Sequence, residues 1–264
     1  MEHIVKDENK KQTKLQKQLK DCAWITFVSE PEETDSTNRV AKQLAQEGAA
    51  EGTLVVAKRQ SMGKGRLGRS FFSPEGGIYM SVVLRPQITP EKAVLITTCA
   101  AVAVARAIDR VCGLHAGIKW VNDIFINGKK VCGILAEAEM NPETAMPEYV
   151  ILGIGINVKK QSVPEELKEI VGCLEEYGMM PEKKEELIAA VWEEFGMLYT
   201  DLSTAVYMKE YKERSVLLGR EVTVFAATGE YKAVVSDIDE EGHLVVERDG
   251  SVQYISTGEV SVRL

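Results

Sequence analysis

The order of apolar and polar positions along the chain predicts a mixture of helices and strands. The run 40–45 carries an apolar stripe at helical spacing, follows the capping residues 35–38 and predicts a helix that ends near Gly48. The runs 53–57 and 77–84 are almost continuously apolar and predict two buried strands. The first of these strands leads directly into a glycine-rich loop.

The segment 89–112 predicts a long helix that is apolar on nearly every face. Thr89, Pro90 and Glu91 open it, with proline at the first helical position, and it ends near Cys112. A helix of this composition is buried on all sides, so we expect it at the centre of its domain.

A hairpin and further strands follow this helix. Residues 118–120 predict a short strand, and Asn127-Gly128 between the apolar runs 123–126 and 130–135 predicts a β-hairpin. Residues 148–158 predict another strand, interrupted by two glycines. Three predicted helices come next, at about 164–177, 181–200 and 204–214.

The pattern changes after Leu218, where short strands alternate with glycine and aspartate turns. This spacing predicts a small β-barrel or sandwich of about fifty residues, with a domain boundary near Ser215. Its strands are predicted over 219–224, 231–235, 243–247 and 252–255. Before the boundary, strands and helices mix without regular alternation, which favours an α+β fold with a mixed or antiparallel sheet over a doubly wound fold. The predicted segments are therefore 1–20, 21–215 and 216–264, the first a charged, frayed or partly helical surface tail.

Composition and charge exclude several classes of protein. The net charge of −8 argues against a general nucleic-acid binder, and no apolar run is long enough to cross a bilayer or act as a secretory signal. The three histidines have no metal-ligand spacing, so a histidine-based triad is not expected. Five widely spaced cysteines favour reduced thiols and a cytoplasmic location. They are Cys22, Cys99, Cys112, Cys132 and Cys173.

The loop 63–69 concentrates three glycines and three cations in seven residues. Glycines bring backbone N–H groups close to a ligand, and lysine and arginine bind anionic oxygens. The loop matches the dinucleotide fingerprint literally, but no amphipathic helix follows it, and it lacks the P-loop Gly-Lys-Ser/Thr. A solvated basic turn is less favoured because three clustered cations repel each other without an anion. The sequence therefore predicts an anion-binding loop.

The predicted hairpin carries a second group of charged residues. Asp123 could ligate Mg²⁺ or accept hydrogen bonds from a ligand. Lys130 is expected to share a strand face with Cys132, beside the small Gly133 where a ligand could approach. For Lys130 a binding role is therefore favoured, whereas Lys129 is interpreted as an ordinary surface charge.

The strand 148–158 contains Gly153, Gly155 and Asn157. Glycines in a strand often mark the close approach of a ligand or of another backbone. Asn157 offers the donor and the acceptor that adenine recognition needs. A bulge beside the core helix explains these residues equally well.

Taken together, these segments resemble biotin–protein ligases in their order and spacing, over about residues 24–264. The segments are 35–38, 60–69, 119–123, 129–135 and 153–157. Residues 256–261 also resemble the closing strand of that family. The glycine loop and the Lys-Trp-x-Asn-Asp hairpin carry most of the specificity.

The resemblance implies a catalytic domain related to class II aminoacyl-tRNA synthetases, over 21–215, followed by a small SH3-like barrel. It implies that biotin and ATP form biotinyl-5′-AMP with Mg²⁺, and that a lysine of a biotin carboxyl carrier domain then receives the biotin. Cations are needed because the carboxylate and the triphosphate are both anionic.

The resemblance also implies roles for individual residues. Biotin is expected to contact Ser36, Thr37, Asn38, Gln60, Lys64, Gly65, Arg66, Lys130 and Gly133. ATP and the adenylate are expected to contact Gly63, Arg66, Arg69, Trp120, Asn122, Asp123 and Asn157. The expected catalytic cations are Lys130, Arg66 and Arg69, and Asp123 is the expected Mg²⁺ ligand.

Three positions depart from the family pattern. Val121 stands for a proline, Phe71 for a tryptophan and Lys64 for an arginine. Lysine keeps the charge of arginine but loses its planar fork. Many bacterial members carry an N-terminal DNA-binding domain, for which residues 1–20 offer no room, so neither operator binding nor a repressor function is expected. Family members dimerise through sheet edges, which leaves a homodimer open.

Two other functions remain as alternatives. A lipoate–protein ligase belongs to the same superfamily but has a different basic signature. A non-catalytic biotin sensor would not need the combination of Arg66, Asp123 and Lys130. ATP-dependent transfer of biotin to an acceptor domain distinguishes all three.

Overall fold

The computed structural model describes residues 12–226, 229–256 and 261–263. The helices are α1 (Lys14–Gln18), α2 (Thr37–Gln46), α3 (Val94–Cys112), α4 (Lys184–Thr200) and α5 (Met208–Glu213). The strands are β1 (Phe27–Ser29), β2 (Glu33–Thr34), β3 (Thr53–Ala57), β4 (Arg59–Gln60), β5 (Ile78–Leu84), β6 (Gly117–Lys119), β7 (Asp123–Ile126), β8 (Lys129–Met140), β9 (Pro147–Ile156), β10 (Glu221–Ala226), β11 (Gly229–Ile238), β12 (Leu244–Arg248), β13 (Ser251–Ile255) and β14 (Ser261–Arg263). Short 3₁₀ turns lie at Leu19–Asp21, Arg66–Gly68, Pro90–Ala93, Glu165–Leu167, Leu174–Tyr177, Pro181–Lys183 and Leu202–Thr204.

A mixed seven-stranded sheet forms the centre of the larger domain. Its strand order is β1-β3-β5-β9-β8-β7-β6, parallel between β1 and β3 and antiparallel elsewhere. Successive side chains of a strand point to opposite faces. Leu54 and Val82 therefore belong to the core shared with α3 and α4, whereas Val55 and Val83 pack in a smaller cluster with α2. α3 is buried along most of its length, as predicted.

The C-terminal residues form a separate antiparallel sheet of five strands, in the order β13-β12-β11-β10-β14. The architecture is that of a small SH3-like domain, which confirms the predicted fold class together with the mixed sheet. Residues 257–260 of the predicted closing segment lie outside the described part of the chain. The domain boundary near Ser215 stays a prediction.

The predicted helix over 164–177 is wrong. The structure has two 3₁₀ turns there, and the intervening chain runs beside β8, where Lys130 donates its backbone N–H to Ile170 O at 2.8 Å. Gly172 N–H donates to Lys130 O at 2.9 Å, and a Cβ on Gly172 would lie 3.0 Å from the Tyr177 hydroxyl. Backbone pairing with β8 therefore replaces helix formation in this segment.

The surface-tail prediction also needs correction over residues 14–19. Leu15 and Leu19 are buried in the main core, where α1 packs against α4. The Lys14 ammonium lies 2.8 Å from the Glu185 carboxylate. Two leucines four residues apart lie on one helical face, so this charged segment still has an apolar side. Residues 1–11 of the predicted tail lie outside the described chain.

Among the described residues, none of the helices combines the length and hydropathy that crossing a membrane requires.

Candidate active site

A cavity of about 890 Å³ opens at one end of the seven-stranded sheet. It lies between the start of α2, the loop 64–72, the β6–β8 hairpin region and the segment after β9. Every predicted site residue lines it except Gly63. Gly63 lies at the base of the loop, where a Cβ would overlap the Phe71 carbonyl and the Ser73 hydroxyl. A side chain at position 63 would therefore displace the loop.

Short backbone contacts hold the glycine loop in its turn. Phe71 N–H donates to Gly63 O at 2.8 Å, and Gly65 N–H donates to Arg69 O at 2.7 Å. Leu67 and Gly68 take positive φ values of 55° and 71° at the tip. Gly68 adopts this conformation at no steric cost, and the turn directs Arg66 towards the hairpin.

Arg66 reaches from the loop to the hairpin motif. Its Nη1 donates to Asn122 Oδ1 at 3.2 Å, and Asn122 in turn donates to the Ile134 carbonyl at 2.8 Å. Burial lowers the pKa of Arg66, and the Asp123 carboxylate partly offsets that effect. The guanidinium stays charged at physiological pH, because its pKa begins far above 7. A fixed cation thus lines the cavity.

Lys130 forms an ion pair with Asp123, with Nζ 2.7 Å from Oδ1. Both side chains are about three-quarters buried, at 24% and 23% exposure. Gly133 leaves the space beside the ammonium, since a Cβ there would lie 3.2 Å from Lys130 Nζ. The pair therefore places a partly desolvated cation on the floor of the cavity.

The expectation that Lys130 and Cys132 share a face is wrong. The pairing between β7 and β8 shifts at Phe125 and Ile124, so Val131 is an extra residue in β8. Such a bulge reverses the alternation of side chains. Cys132 lies fully inside the core, where burial raises the pKa of its thiol, while Lys130 faces the cavity.

Phe71 covers the glycines of β8 and β9. A Cβ on Gly155 would lie 2.5 Å from the Phe71 ring, and one on Gly133 would lie 3.0 Å from it. Lys130 Nζ lies 5.8 Å above the centre of the same ring. The pairing of β9 with β5 and β8 is regular at Gly153 and Gly155, so these glycines do not form a bulge. They make room for side chains that enter from the cavity.

Asn157 lies at the far end of the cavity. Its Nδ2 donates to the Gly172 carbonyl at 3.2 Å, and its backbone N–H donates to Val131 O at 2.8 Å. The side chain is therefore oriented by the segment that pairs with β8.

Polar residues at the start of α2 line the opposite end. Gln60 Oε1 accepts from the Thr37 backbone N–H at 2.8 Å and from its hydroxyl at 3.0 Å. Two residues that form hydrogen bonds with the start of α2 were not predicted from the sequence, Ser81 on β5 and Glu137 on β8. Ser81 is a polar residue in a continuously apolar strand, which was a usable signal. Glu137 carried no signal of its own among the acidic residues of the chain.

One carboxylate in the cavity fits the predicted Mg²⁺. Mg²⁺ usually takes one or two protein carboxylates and completes its shell with waters and phosphate oxygens. Asp123 offers such a group next to the Asn122 amide. In this structure the carboxylate pairs with the Lys130 ammonium.

Elsewhere in the described chain, a turn of the C-terminal sheet brings three ligand types together. Ligand atoms of Asp239, Glu241 and His243 lie within 4.8 Å of one another. Asp239 already accepts backbone N–H groups from Glu241 and His243 at 3.0 and 2.8 Å, so its carboxylate builds the turn.

Comparison with known proteins is consistent with this geometry. Residues 30–157 match the biotin/lipoate A/B protein ligase family, and residues 217–263 match the biotin protein ligase C terminal domain. The bifunctional ligase/repressor BirA of Bacillus subtilis is 37% identical over 233 residues, which are 86% of this chain and 71% of that protein. The biotin--[acetyl-CoA-carboxylase] ligase of Paracoccus denitrificans is 31% identical over 86% of this chain and 97% of that protein. The biotin protein ligase of Aquifex aeolicus in complex with biotin and ATP superposes with a TM-score of 0.77, at 27% identity, over 90% of this chain and 99% of that one.

Proposed function

Because the chain belongs to the biotin/lipoate A/B protein ligase family, we propose that it is an ATP-dependent biotin–protein ligase. It makes biotinyl-5′-AMP from biotin and ATP and transfers biotin to a lysine of a biotin carboxyl carrier domain. The observation that carries this proposal is the pair of cations, Arg66 and Lys130, that meet in one cavity under a glycine loop. Two anionic substrates need such a site to react with each other.

In the first step, a biotin carboxylate oxygen attacks the α-phosphorus of ATP. The bond to the bridging oxygen breaks, and pyrophosphate leaves with the electron pair. Lys130 holds the carboxylate and the charge that grows on the α-phosphate, and Arg66 and Arg69 neutralise the phosphate oxygens from the loop. Fixed charges of this kind stabilise a transition state because they need no reorganisation during the reaction.

The Lys130–Asp123 pair prepares this step. The substrate carboxylate takes over the ammonium that Asp123 holds in the free protein. Asp123, together with Asn122, would then hold Mg²⁺. The ion would supply charge neutralisation for the triphosphate.

In the second step, the acceptor lysine attacks the carbonyl carbon of the adenylate as a free amine. The carbon–oxygen bond to the phosphate breaks, AMP leaves, and the new amide nitrogen loses a proton. This route needs no covalent nucleophile of the enzyme. The described cysteines are buried or half-buried, and burial raises the pKa of each thiol, which suits a role in packing.

The wider setting of the protein follows from the same family. The acceptor is a biotin carboxyl carrier protein or domain of a biotin-dependent carboxylase. The free thiols favour the cytoplasm. We propose a homodimer through a sheet edge, because members of the resembled family dimerise in this way, and sedimentation velocity is the measurement that tests it.

DNA binding is not part of this proposal. The net charge of −8 opposes phosphate contacts, and the described N-terminal helix α1 is committed to packing against α4. A specific gel shift with the promoter DNA of its own gene would overturn this point.

A direct assay tests the proposed function. The purified chain is incubated with ATP, Mg²⁺, an acceptor domain and either labelled biotin or labelled lipoate. Transfer of biotin, and not of lipoate, is the expected result. Transfer of lipoate identifies a lipoate ligase instead, and biotin binding without transfer or pyrophosphate exchange identifies a sensor.

A further inference from the structure

A chain of hydrogen bonds runs behind the wall of the cavity at its α2 end. Ser81 lies at the centre, fully buried, with Oγ 2.7 Å from Thr37 Oγ1 and 2.6 Å from Asn38 Oδ1. On one side, Asn38 Nδ2 donates to Glu137 Oε2 at 2.7 Å. On the other side, the Thr37 hydroxyl lies 3.0 Å from Gln60 Oε1. Four elements far apart in sequence are thus connected by side chains.

Both ends of this chain reach the glycine loop. At one end, the second carboxylate oxygen of Glu137 lies 3.7 Å from Lys64 Nζ. At the other end, Gln60 Nε2 donates to Ser73 Oγ at 2.9 Å, and Ser73 donates to the Phe71 carbonyl at 2.8 Å. The same polar chain therefore contacts the start and the end of the loop.

The two ends of this chain of hydrogen bonds fix the orientation of its two side-chain amides, those of Asn38 and Gln60. A carboxylate only accepts hydrogen bonds, so Asn38 must turn Nδ2 to Glu137 and Oδ1 to Ser81. A backbone N–H only donates, so Gln60 must turn Oε1 to Thr37. These neighbours therefore determine which terminal atom of each amide is the nitrogen and which is the oxygen.

The number of available hydroxyl protons then sets the direction of donation along this chain of hydrogen bonds. Thr37 and Ser81 have one hydroxyl proton each. Three contacts between oxygen atoms each need a proton, namely Thr37–Gln60, Ser81–Thr37 and Ser81–Asn38. Asn38 Oδ1 is buried and depends on Ser81, whereas Gln60 Oε1 also has the Thr37 backbone N–H. Leaving a buried acceptor without a partner is costly. Thr37 Oγ1 donates its proton to Gln60 Oε1 at 3.0 Å, and the one Ser81 proton is shared between Asn38 Oδ1 and Thr37 Oγ1.

Donation therefore runs outward from Ser81, through Asn38 to Glu137 on one side and through Thr37 to Gln60 on the other. In this arrangement Thr37 Oγ1 gives its proton to Gln60, accepts from Ser81 and has one lone pair left for the cavity that it lines. A ligand that presents an N–H group satisfies it. The ureido ring of biotin carries two such groups.

We propose that Glu137 and Ser81 are positioning residues that set the hydrogen-bond direction of the biotin pocket, an inference that rests on the proposed function. Neither needs to touch biotin. The acceptor-only carboxylate of Glu137 anchors the direction, and Ser81 passes it to Thr37. Glu137 also aligns Lys64 of the loop with the same wall.

The test uses biotin and its two singly N-methylated ureido analogues, with affinities measured by calorimetry on the full chain. The wild type is expected to bind biotin more tightly than at least one analogue. Ser81→Ala and Glu137→Gln are expected to weaken biotin binding about tenfold, the effect of losing one hydrogen bond. Binding of the disfavoured analogue is expected to change much less, so discrimination shrinks.

Matched variants separate this effect from others. Glu139→Gln changes a carboxylate two residues along β8 that pairs with Lys42, and should leave both affinity and discrimination unchanged. Lys64→Ala reports on the loop contact alone, and should lower affinity for all three ligands without changing their ratio. Thermal unfolding of each variant shows whether it folds, and Glu137→Gln alone carries the test if Ser81→Ala does not fold.

The possible results separate a failure of the proposed function from a failure of the positioning role. A wild type that binds no biotin overturns the proposed function itself. A wild type that binds and transfers biotin, with both folded variants binding all ligands as it does, overturns the positioning role. Equal losses for biotin and both analogues also overturn it, because a merely structural role moves all three alike.

Discussion

At the residue scale, Lys130 owes its position to a bulge and a glycine. The extra residue Val131 turns the ammonium from the core side of β8 to the cavity, and Gly133 leaves space beside it. Asp123 keeps the cation desolvated and oriented before a substrate arrives. A lysine without these neighbours would point to solvent and lose entropy on binding.

Replacing Lys130 with alanine is expected to slow adenylate formation about 10²- to 10³-fold, because the proposed mechanism then loses one fixed charge at the reacting phosphate. Biotin-dependent exchange of pyrophosphate into ATP measures this step. Lys129→Ala is the matched control, since its ammonium contacts the Lys168 carbonyl at the surface. Exchange at the wild-type rate in the Lys130 variant would contradict the catalytic assignment.

Gly153 gives a second prediction at this scale. A Cβ at Gly153 would overlap Asn38 Oδ1, so Gly153→Ala must push the Asn38 side chain away from Ser81. We expect a loss of about 1–3 kcal/mol in the free energy of unfolding and weaker biotin binding. Urea unfolding and calorimetry provide the measurements. Gly250→Ala, in an exposed turn with positive φ and open space, should cost about 1 kcal/mol and leave biotin affinity unchanged.

At the element scale, Glu210 connects α5 to the central helix. Its carboxylate accepts from Arg106 of α3 at 2.6 Å and from Arg214 at 2.8 Å. Burial raises the pKa of Glu210, but these hydrogen bonds outweigh it and hold the pKa below its ordinary value of 4.5. A lowered pKa in the folded state means that the carboxylate stabilises the fold above about pH 4.5, and that this contribution disappears as pH falls through the folded pKa.

Glu210→Gln is therefore expected to lower the free energy of unfolding by about 1.5–3 kcal/mol at pH 7, the range for hydrogen bonds to charged groups. The difference from wild type should shrink as the pH is lowered below 4.5. Denaturant titrations from pH 7 to 3 measure both. Glu213→Gln serves as control, because that exposed carboxylate lies 4.0 Å from Lys209. A difference that stays constant over this pH range would contradict the assigned cause.

Some elements follow from their local sequence and others do not. The hairpin at Asn127-Gly128 was predictable because positive φ at both positions, 48° and 82°, suits these residue types. The segment 164–177 was not, because its conformation depends on backbone pairing with Lys130, far away in sequence. The same limit applies to the site. Local motifs indicated the loop and the hairpin, whereas Ser81 meets Asn38 across 43 residues and Glu137 meets it across 99.

At the scale of the whole molecule, the C-terminal domain supports the site motif directly. The Trp120 indole N–H donates to the Gly242 carbonyl in the β11–β12 turn at 2.9 Å. The segment that leads into this domain pairs with β6, where Ile118 N–H donates to Arg214 O at 2.8 Å. Tyr211 of α5 donates its hydroxyl proton to Val121 O at 3.0 Å. The hairpin that carries Asn122 and Asp123 is thus held from the second domain as well as from its own sheet.

Trp120→Phe removes the contact between the domains while it keeps an aromatic ring in the cavity wall. We expect the free energy of unfolding to fall by about 1 kcal/mol, because Gly242 O loses its donor. The KM for ATP should rise several-fold while biotin affinity stays unchanged, because Trp120 shortly precedes Asn122 and Asp123, the residues that we propose contact ATP. Trp192→Phe is a matched control, because the buried Trp192 Nε1 has no hydrogen-bond partner among the described residues. If both variants change stability and the KM for ATP equally, the second domain does not act on the site through Trp120.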